Sequence, residues 1–236
     1  MESLAAASAS PPTGDHFLIS RYPCTLIDVW RPDAHTALTI RPVLPQDEPL
    51  VGNFFASLQP ATRYRRFHGA VNTLSAARLA QMTRVDYTRH MALVVTMRDA
   101  AAETVIADAR YVVDGSDASG EFAIVVADRW QGLGVGQRAM QMLAAAAAGQ
   151  GLRWLWGDVL QDNTPMLALM RRTGFQSSAV LAGQGFIRVE RPVFTLPDVP
   201  PPRRSHKARL ARLMALFRPA AHAPGVDLRH GRELCC

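Results

Sequence analysis

"ADRWQGLGVGQRAM" (residues 127–140) sets glycine at Gly132, Gly134 and Gly136, directly after the apolar run EFAIVVA and directly before an alanine-rich stretch. Glycine there gives up side-chain contacts and carries an ordering cost, so the chain is keeping this backbone bare. Two phosphate loops do not fit. A dinucleotide fingerprint counted from Gly132 needs a third glycine where Gln137 stands, and a Walker A loop needs Gly-Lys-Ser/Thr, whereas this stretch holds no lysine. What fits is a strand-to-helix junction whose unhindered N–H groups converge on an anion at a helix N-terminus. Pyrophosphate is the ligand such a loop suits best.

The flanking text supports that junction. Upstream, MALVVTM, TVIADARYVV and EFAIVVA are three successive β-branched apolar runs, with the turn text DGSDASG before the last. Downstream, VGQRAMQMLAAAAAG predicts a helix ending at Gly149, and RWLWGDVL predicts the next strand. NTPMLALMRRTGF reads as a helix with Asn163 as N-cap and Gly174 as its stop. Further out, ALTIRP and FIRVERPVF predict strands, while PQDEPLVGNFFASL, with acidic residues in its first turn, and SAARLAQM predict helices. Trp154 and Trp156 read as core, and Trp130 reads as packing beside the loop. No internal repeat is present.

With these flanks, Gln131-x-x-Gly134-x-Gly136 resembles the Gln/Arg-x-x-Gly-x-Gly/Ala pyrophosphate loop of the GNAT superfamily of acyl-CoA N-acyltransferases. The resemblance covers about residues 37–195 and includes QDNTPMLALMRRTGF, which is similar to that family's second CoA-contacting segment. More narrowly, TIRPVLPQDE, RYRRFHG and DYTRHMALV resemble the acetyltransferase module of bacterial protein lysine acetyltransferases. The fold implied is a mixed α/β (α+β) one: a central, mostly antiparallel sheet with a V-shaped splay between two parallel strands, flanked by helices. The expected organisation is a leader with an extra strand over residues 1–36, the acetyltransferase domain over 37–195, and a basic tail over 196–236.

The resemblance also implies a chemistry. Acetyl-CoA, with no metal, is the expected co-substrate. Its pantetheine pairs with the backbone of Val125 and Val126. Its pyrophosphate is held by Gln131, Gly132, Leu133, Gly134, Val135, Gly136 and Gln137, and Asn163 touches the cofactor from the next helix start. Backbone N–H groups of the central strand polarise the thioester carbonyl. The acceptor is a primary amine, which attacks only when neutral. A lysine ammonium ionises near pH 10.4, so a base is useful. Glu121 is the candidate the resemblance implies, at the start of the central strand where its family counterpart often faces the substrate amine, and strand alternation puts it on the face of Ala123 and Val125. Asp158 reads instead as a partner for a buried arginine. Met170 stands where many of these enzymes carry a tyrosine acid, which leaves thiolate release to water or to its own low basicity. RYRRFHG reads as buried Tyr64 and Phe67 with paired arginines, or as a CoA 3′-phosphate or acceptor-channel segment. His68 and His90 are further candidate bases.

Composition bounds the rest. The 236 residues carry a net charge of +6, and residues 1–190 are balanced at 17 arginines against 17 acids. Residues 191–236 hold nine basic and three acidic residues, which accounts for the whole excess. HKARLARLMALFR in that tail has the period of a basic amphipathic helix, with Leu210, Leu213, Met214 and Phe217 on one face. It suits an acidic partner, a membrane surface or its own domain. Cys24, Cys235 and Cys236 form no metal or disulfide framework, and the N-terminus lacks a basic n-region, so a reducing cytoplasm is expected. No membrane span and no nucleic-acid partner are expected, and a homodimer is among the expected assemblies. The alternatives to a protein lysine acceptor are a small amine (polyamine, amino acid or aminoglycoside) or a non-catalytic acyl-CoA sensor whose output is the tail.

Overall fold

The computed structural model describes residues 22–69, 71, 73–99, 102–115, 118–181 and 185–193. The basic tail and the first residues of the leader therefore lie outside the described residues. Eight strands form one sheet: β1 (Asp28–Trp30), β2 (Leu38–Pro42), β3 (His90–Arg98), β4 (Glu103–Val113), β5 (Ser119–Val126), β6 (Trp154–Leu160), β7 (Gln176–Leu181) and β8 (Phe186–Pro192). Their spatial order is β1-β2-β3-β4-β5-β6-β8-β7. Every pairing is antiparallel except β5 with β6.

Five helices cover the sheet: α1 (Glu48–Ser57), α2 (Pro60–Phe67), α3 (Ala76–Thr83), α4 (Val135–Gly149) and α5 (Thr164–Arg172). Ser75 caps α3 through the Arg78 N–H, and the Asn163 side chain accepts from the Met166 N–H at the start of α5. Of the acids expected at the start of α1, Glu48 stands in the first turn and Asp47 at the N-cap. Asp47 is buried and accepts two bonds from the Arg41 guanidinium, at 2.7 and 2.8 Å.

Helices lie on both faces of the central strands, so β4 is buried along most of its length. The face toward α3 carries charge. Asp108 and Arg110 are paired there, and Arg110 also donates to the Met82 carbonyl oxygen of α3 at 3.2 Å. Register puts Val125 beside Asp108 and Ala123 beside Arg110 on that face. Two elements depart from the sequence expectation, and the extra strand expected in the leader is present. Helix α2 falls where only an arginine-aromatic segment was read, and β7 was not foreseen; β1 is the leader strand, paired with β2. Tyr64, expected in the core, is 51% exposed, because the face of α2 that meets the protein carries Arg66 and Phe67 instead.

Candidate active site

A fork in the sheet organises the site. β5 and β6 pair only from Ser119–Trp154 to Glu121–Trp156, after which both continue but are no longer hydrogen-bonded neighbours. At the next position Phe122 lays its ring over Gly157, where an added Cβ would come within 2.8 Å of a ring carbon. The same ring meets Phe175 with centroids 4.9 Å apart. Glycine in a strand interior marks a close approach, and here it admits the aromatic wedge at the mouth of the fork.

The glycine loop closes one side of that opening. Gly132 and Gly134 have φ of 77° and 82°, and a Cβ on either would meet nothing within 4 Å. These are left-handed positions that side-chain-bearing residues occupy at a cost, and they border open space. Gly136 has a different reason to be bare: a Cβ there would sit 3.1 Å from Leu169 and 3.4 Å from Val126, so glycine lets α4 close on α5 and β5. Val135 is fully buried and anchors the start of α4. The first intrahelical bond runs from the Arg138 N–H to the Gly134 carbonyl. The N–H groups of Val135, Gly136 and Gln137 therefore precede the helical ladder and face the end of the α4 dipole. The Gln131 side-chain amide donates to the Val126 carbonyl at 3.0 Å, tying the loop to the end of β5.

Between fork, loop and α5 lies a cleft of about 330 Å³. Of the residues expected to hold a cofactor, Val125, Val126, Gln131, Gly132, Gly134, Gly136, Gln137 and Asn163 line it. Leu133 does not; at 54% exposure it turns outward at the tip of the loop. Val135 contributes no lining side chain because it is in the core. Asn163 is nearly buried, and its side-chain oxygen is 3.4 Å from the Met166 N–H, so capping and cleft lining are held by one residue. The sequence reading gave QDNTPMLALMRRTGF and RYRRFHG only as segments; the structure picks out Met166, Leu169 and Arg172 of the first and Arg65 and Arg66 of the second as cleft lining, and adds Thr62, which lies outside both. The signal was present as an i, i+3, i+4 spacing on α2, but nothing local places that helix beside the loop.

Glu121 is half-buried at the vertex of the fork, outside the cleft lining, on the same strand face as Val125. The Arg66 guanidinium is 4.0 Å from Asp108 and shares this side of the sheet. Burial pushes Arg66 down to about 10, the Asp108 and Glu121 carboxylates pull it up, and Arg110 and Arg78 push it down. Asp158 is paired with Arg188 at 2.7 and 2.8 Å, and that guanidinium stacks over Trp156 at 4.2 Å, so the structural reading of Asp158 holds. His68 caps α2 in the left-handed region and stacks on Phe186 with centroids 4.7 Å apart. Burial, with the Arg66 charge, holds His68 down to about 4; burial, with Arg110, holds His90 down to about 3. Neither histidine lines the cleft. Met170 is buried in the core, so α5 presents no acid from that position.

This geometry can bind an elongated ligand whose anionic end rests on the loop and whose reactive end reaches the fork. Residues 37–176 match the family model described as an acetyltransferase (GNAT) domain. The chain belongs to the GNAT acetyltransferase family. Relatives include acetyltransferase Pat of Mycolicibacterium smegmatis, 38% identical over 136 residues, which are 57% of this chain and 40% of the relative. Acetyltransferase PA5475 of Pseudomonas aeruginosa is 31% identical over 136 residues, 58% of this chain and 73% of that protein. The chain thus matches well under half the length of the Mycolicibacterium protein. Among solved structures, the GNAT domain of S. lividans PAT superposes with a TM-score of 0.64 at 22% identity, covering 72% of this chain and 99% of that one. The GNAT fold accounts for the fork, the loop and the mostly antiparallel sheet together. An acyl-CoA-dependent N-acetyltransferase is the enzyme class that follows. No described helix is long and apolar enough to cross a membrane.

Proposed function

We propose that this GNAT domain transfers an acetyl group from acetyl-CoA to a lysine amine of a protein substrate, with Glu121 as the base. The observation that carries the reading is the meeting of the forked β5 edge and the glycine loop in one cleft. Pyrophosphate would rest on the N–H groups from Gln131 to Gln137, pantetheine would run along Val125 and Val126, and Asn163 would touch it from α5. Arg65 of α2 and Arg172 of α5, which both line the cleft, would add positive charge toward the polyanionic cofactor. A reducing cytoplasm suits this reading.

The amine nitrogen bonds to the thioester carbonyl carbon, the carbon–sulfur bond breaks, and CoA departs as its thiolate. The surplus proton of the amine passes to Glu121. A thiol ionises near pH 8.5, so the sulfur leaves without a tyrosine acid, in keeping with Met170. Support for a protein acceptor comes from TIRPVLPQDE, RYRRFHG and DYTRHMALV, which resemble the acetyltransferase module of bacterial protein lysine acetyltransferases. The test is acetyl-CoA turnover against lysine peptides, whole proteins and small amines. Glu121→Gln is expected to lower kcat about a hundredfold with CoA affinity unchanged. Unaltered turnover overturns the base assignment, turnover on small amines alone overturns the protein acceptor, and CoA binding without any turnover favours a sensor.

A further inference from the structure

Helix α2 is an unlikely structure on its own. It has eight residues, PATRYRRF, and isolated helices of that length are unstable in water. Its N-cap residue Gln59 makes no capping bond with its own side chain, and Pro60 offers no N–H. Yet α2 supplies a wall of the cleft through Thr62, Arg65 and Arg66. Some other element must hold its first turn.

That element is the start of the glycine loop. Asp128 sits in the turn Asp128–Trp130 that leads from β5 into the loop. Its carboxylate accepts from the Gln59 N–H at 3.1 Å and from the Thr62 hydroxyl at 2.5 Å, across separations of 69 and 66 residues. The Asp128 backbone carbonyl accepts from the Gln131 N–H at 3.3 Å, on the residue that opens the loop. One residue thus caps α2 from outside and shapes the loop. The charges agree: a carboxylate lies at the N-terminus of α2, and Arg65 and Arg66 lie in its last turn.

We propose that Asp128 is a positioning residue which fastens α2 to the pyrophosphate loop, so that Arg65 is preset against the cofactor cleft before acetyl-CoA arrives. The proposal rests on the reading of the loop as the CoA cradle. Without the fastening, CoA binding must itself order α2, which weakens affinity.

CoA titrated into the full chain by calorimetry tests this, with Asp128→Ala, Asp128→Asn, Thr62→Val and Arg65→Ala. Asp128→Ala should weaken CoA binding about tenfold, and Asp128→Asn, which keeps an accepting oxygen, should recover most of that loss. Thr62→Val, which breaks the same bond from the helix side, should speed hydrogen exchange of the α2 amides as Asp128→Ala does. Arg65→Ala should weaken binding in the wild-type background and have little effect beside Asp128→Ala. A merely structural Asp128 would lower the melting temperature without moving these couplings. Wild-type affinity in Asp128→Ala, or simple addition of the Asp128 and Arg65 losses, overturns the proposal. A wild-type chain that fails to bind CoA overturns the cradle reading itself. Hydrogen exchange then still decides the fastening: α2 amides that exchange no faster in Asp128→Ala than in the wild type overturn it.

Discussion

At the scale of single residues, three glycines that look alike in the text serve two physical needs. Gly132 and Gly134 hold left-handed backbone beside open space, whereas Gly136 permits close packing against Leu169 and Val126. Gly134→Ala should therefore cost about 1–2 kcal/mol through backbone conformation, and should also put a methyl group where the cofactor is expected. Gly136→Ala should act through the core, because Leu169 or Val126 must give way by a few tenths of an ångström. Thermal melts with and without CoA separate the two: Gly134→Ala should lose most of the ligand-induced shift, while Gly136→Ala should melt earlier and keep it. Equal loss of the shift in both would sink the division. The alternation of Gly132, Gly134 and Gly136 was legible in the sequence; which of them guards backbone and which guards packing was not, because that depends on Leu169 more than thirty residues on.

Among the elements, the charged face of β4 has the largest energetic consequence. Asp108 is wholly buried and is gripped by the Arg110 Nε at 2.8 Å and by a second, shorter contact from Nη2, with Arg66 4.0 Å away. Three buried arginines, Arg66, Arg78 and Arg110, lie toward α2 and α3. Removing the carboxylate leaves buried cations with less compensation, and breaking such a pair costs about 3–5 kcal/mol. Asp108→Asn is expected to fall in that range by urea denaturation, and a loss below about 1 kcal/mol would show that Arg110 finds another acceptor. The apolar character of β3, β4 and β5 was readable from their β-branched runs. Helix α2 was not, since PATRYRRF is short, cation-rich and poor in apolar residues, and its first turn is held by Asp128 from far along the chain. Strand β7 was missed for a similar reason: QSSAVL sits at a sheet edge and takes its pairing from β8.

For the whole molecule, the two depressed histidines set an acid limit on stability. His68 and His90 are neutral in the native state down to about 4 and about 3, whereas an unfolded chain protonates histidine near 6.5. The unfolded state thus binds more protons between pH 6.5 and 4, so stability rises with pH through that window and levels off above it. Each histidine contributes a slope of at most about 1.4 kcal/mol per pH unit. The groups around them are Arg66 and Asp158 for His68, and Arg110, Asp86 and Asp108 for His90. Melting temperature should decline steadily from pH 6.5 to 4.5, and His68→Asn should make that decline shallower. An unchanged slope in the variant would mean that His68 takes up its proton in the native state near the ordinary value.

What the sequence determined by itself is local. The loop between a strand and a helix, the Asn163 cap and the three central strands follow from period, capping and turn chemistry within some fifteen residues, and the overall class was implied by the resemblance of that loop and its flanks to a known family. Tertiary structure decided where those pieces meet. It ended the β5–β6 pairing at Glu121, let Phe122 enter over Gly157, set Arg188 on Asp158, and laid α2 along the cleft. Each of these joins side chains from separate elements, and period and capping along the chain do not specify such meetings. Only packing brings Asp128 to the first turn of a helix that lies 66 residues earlier.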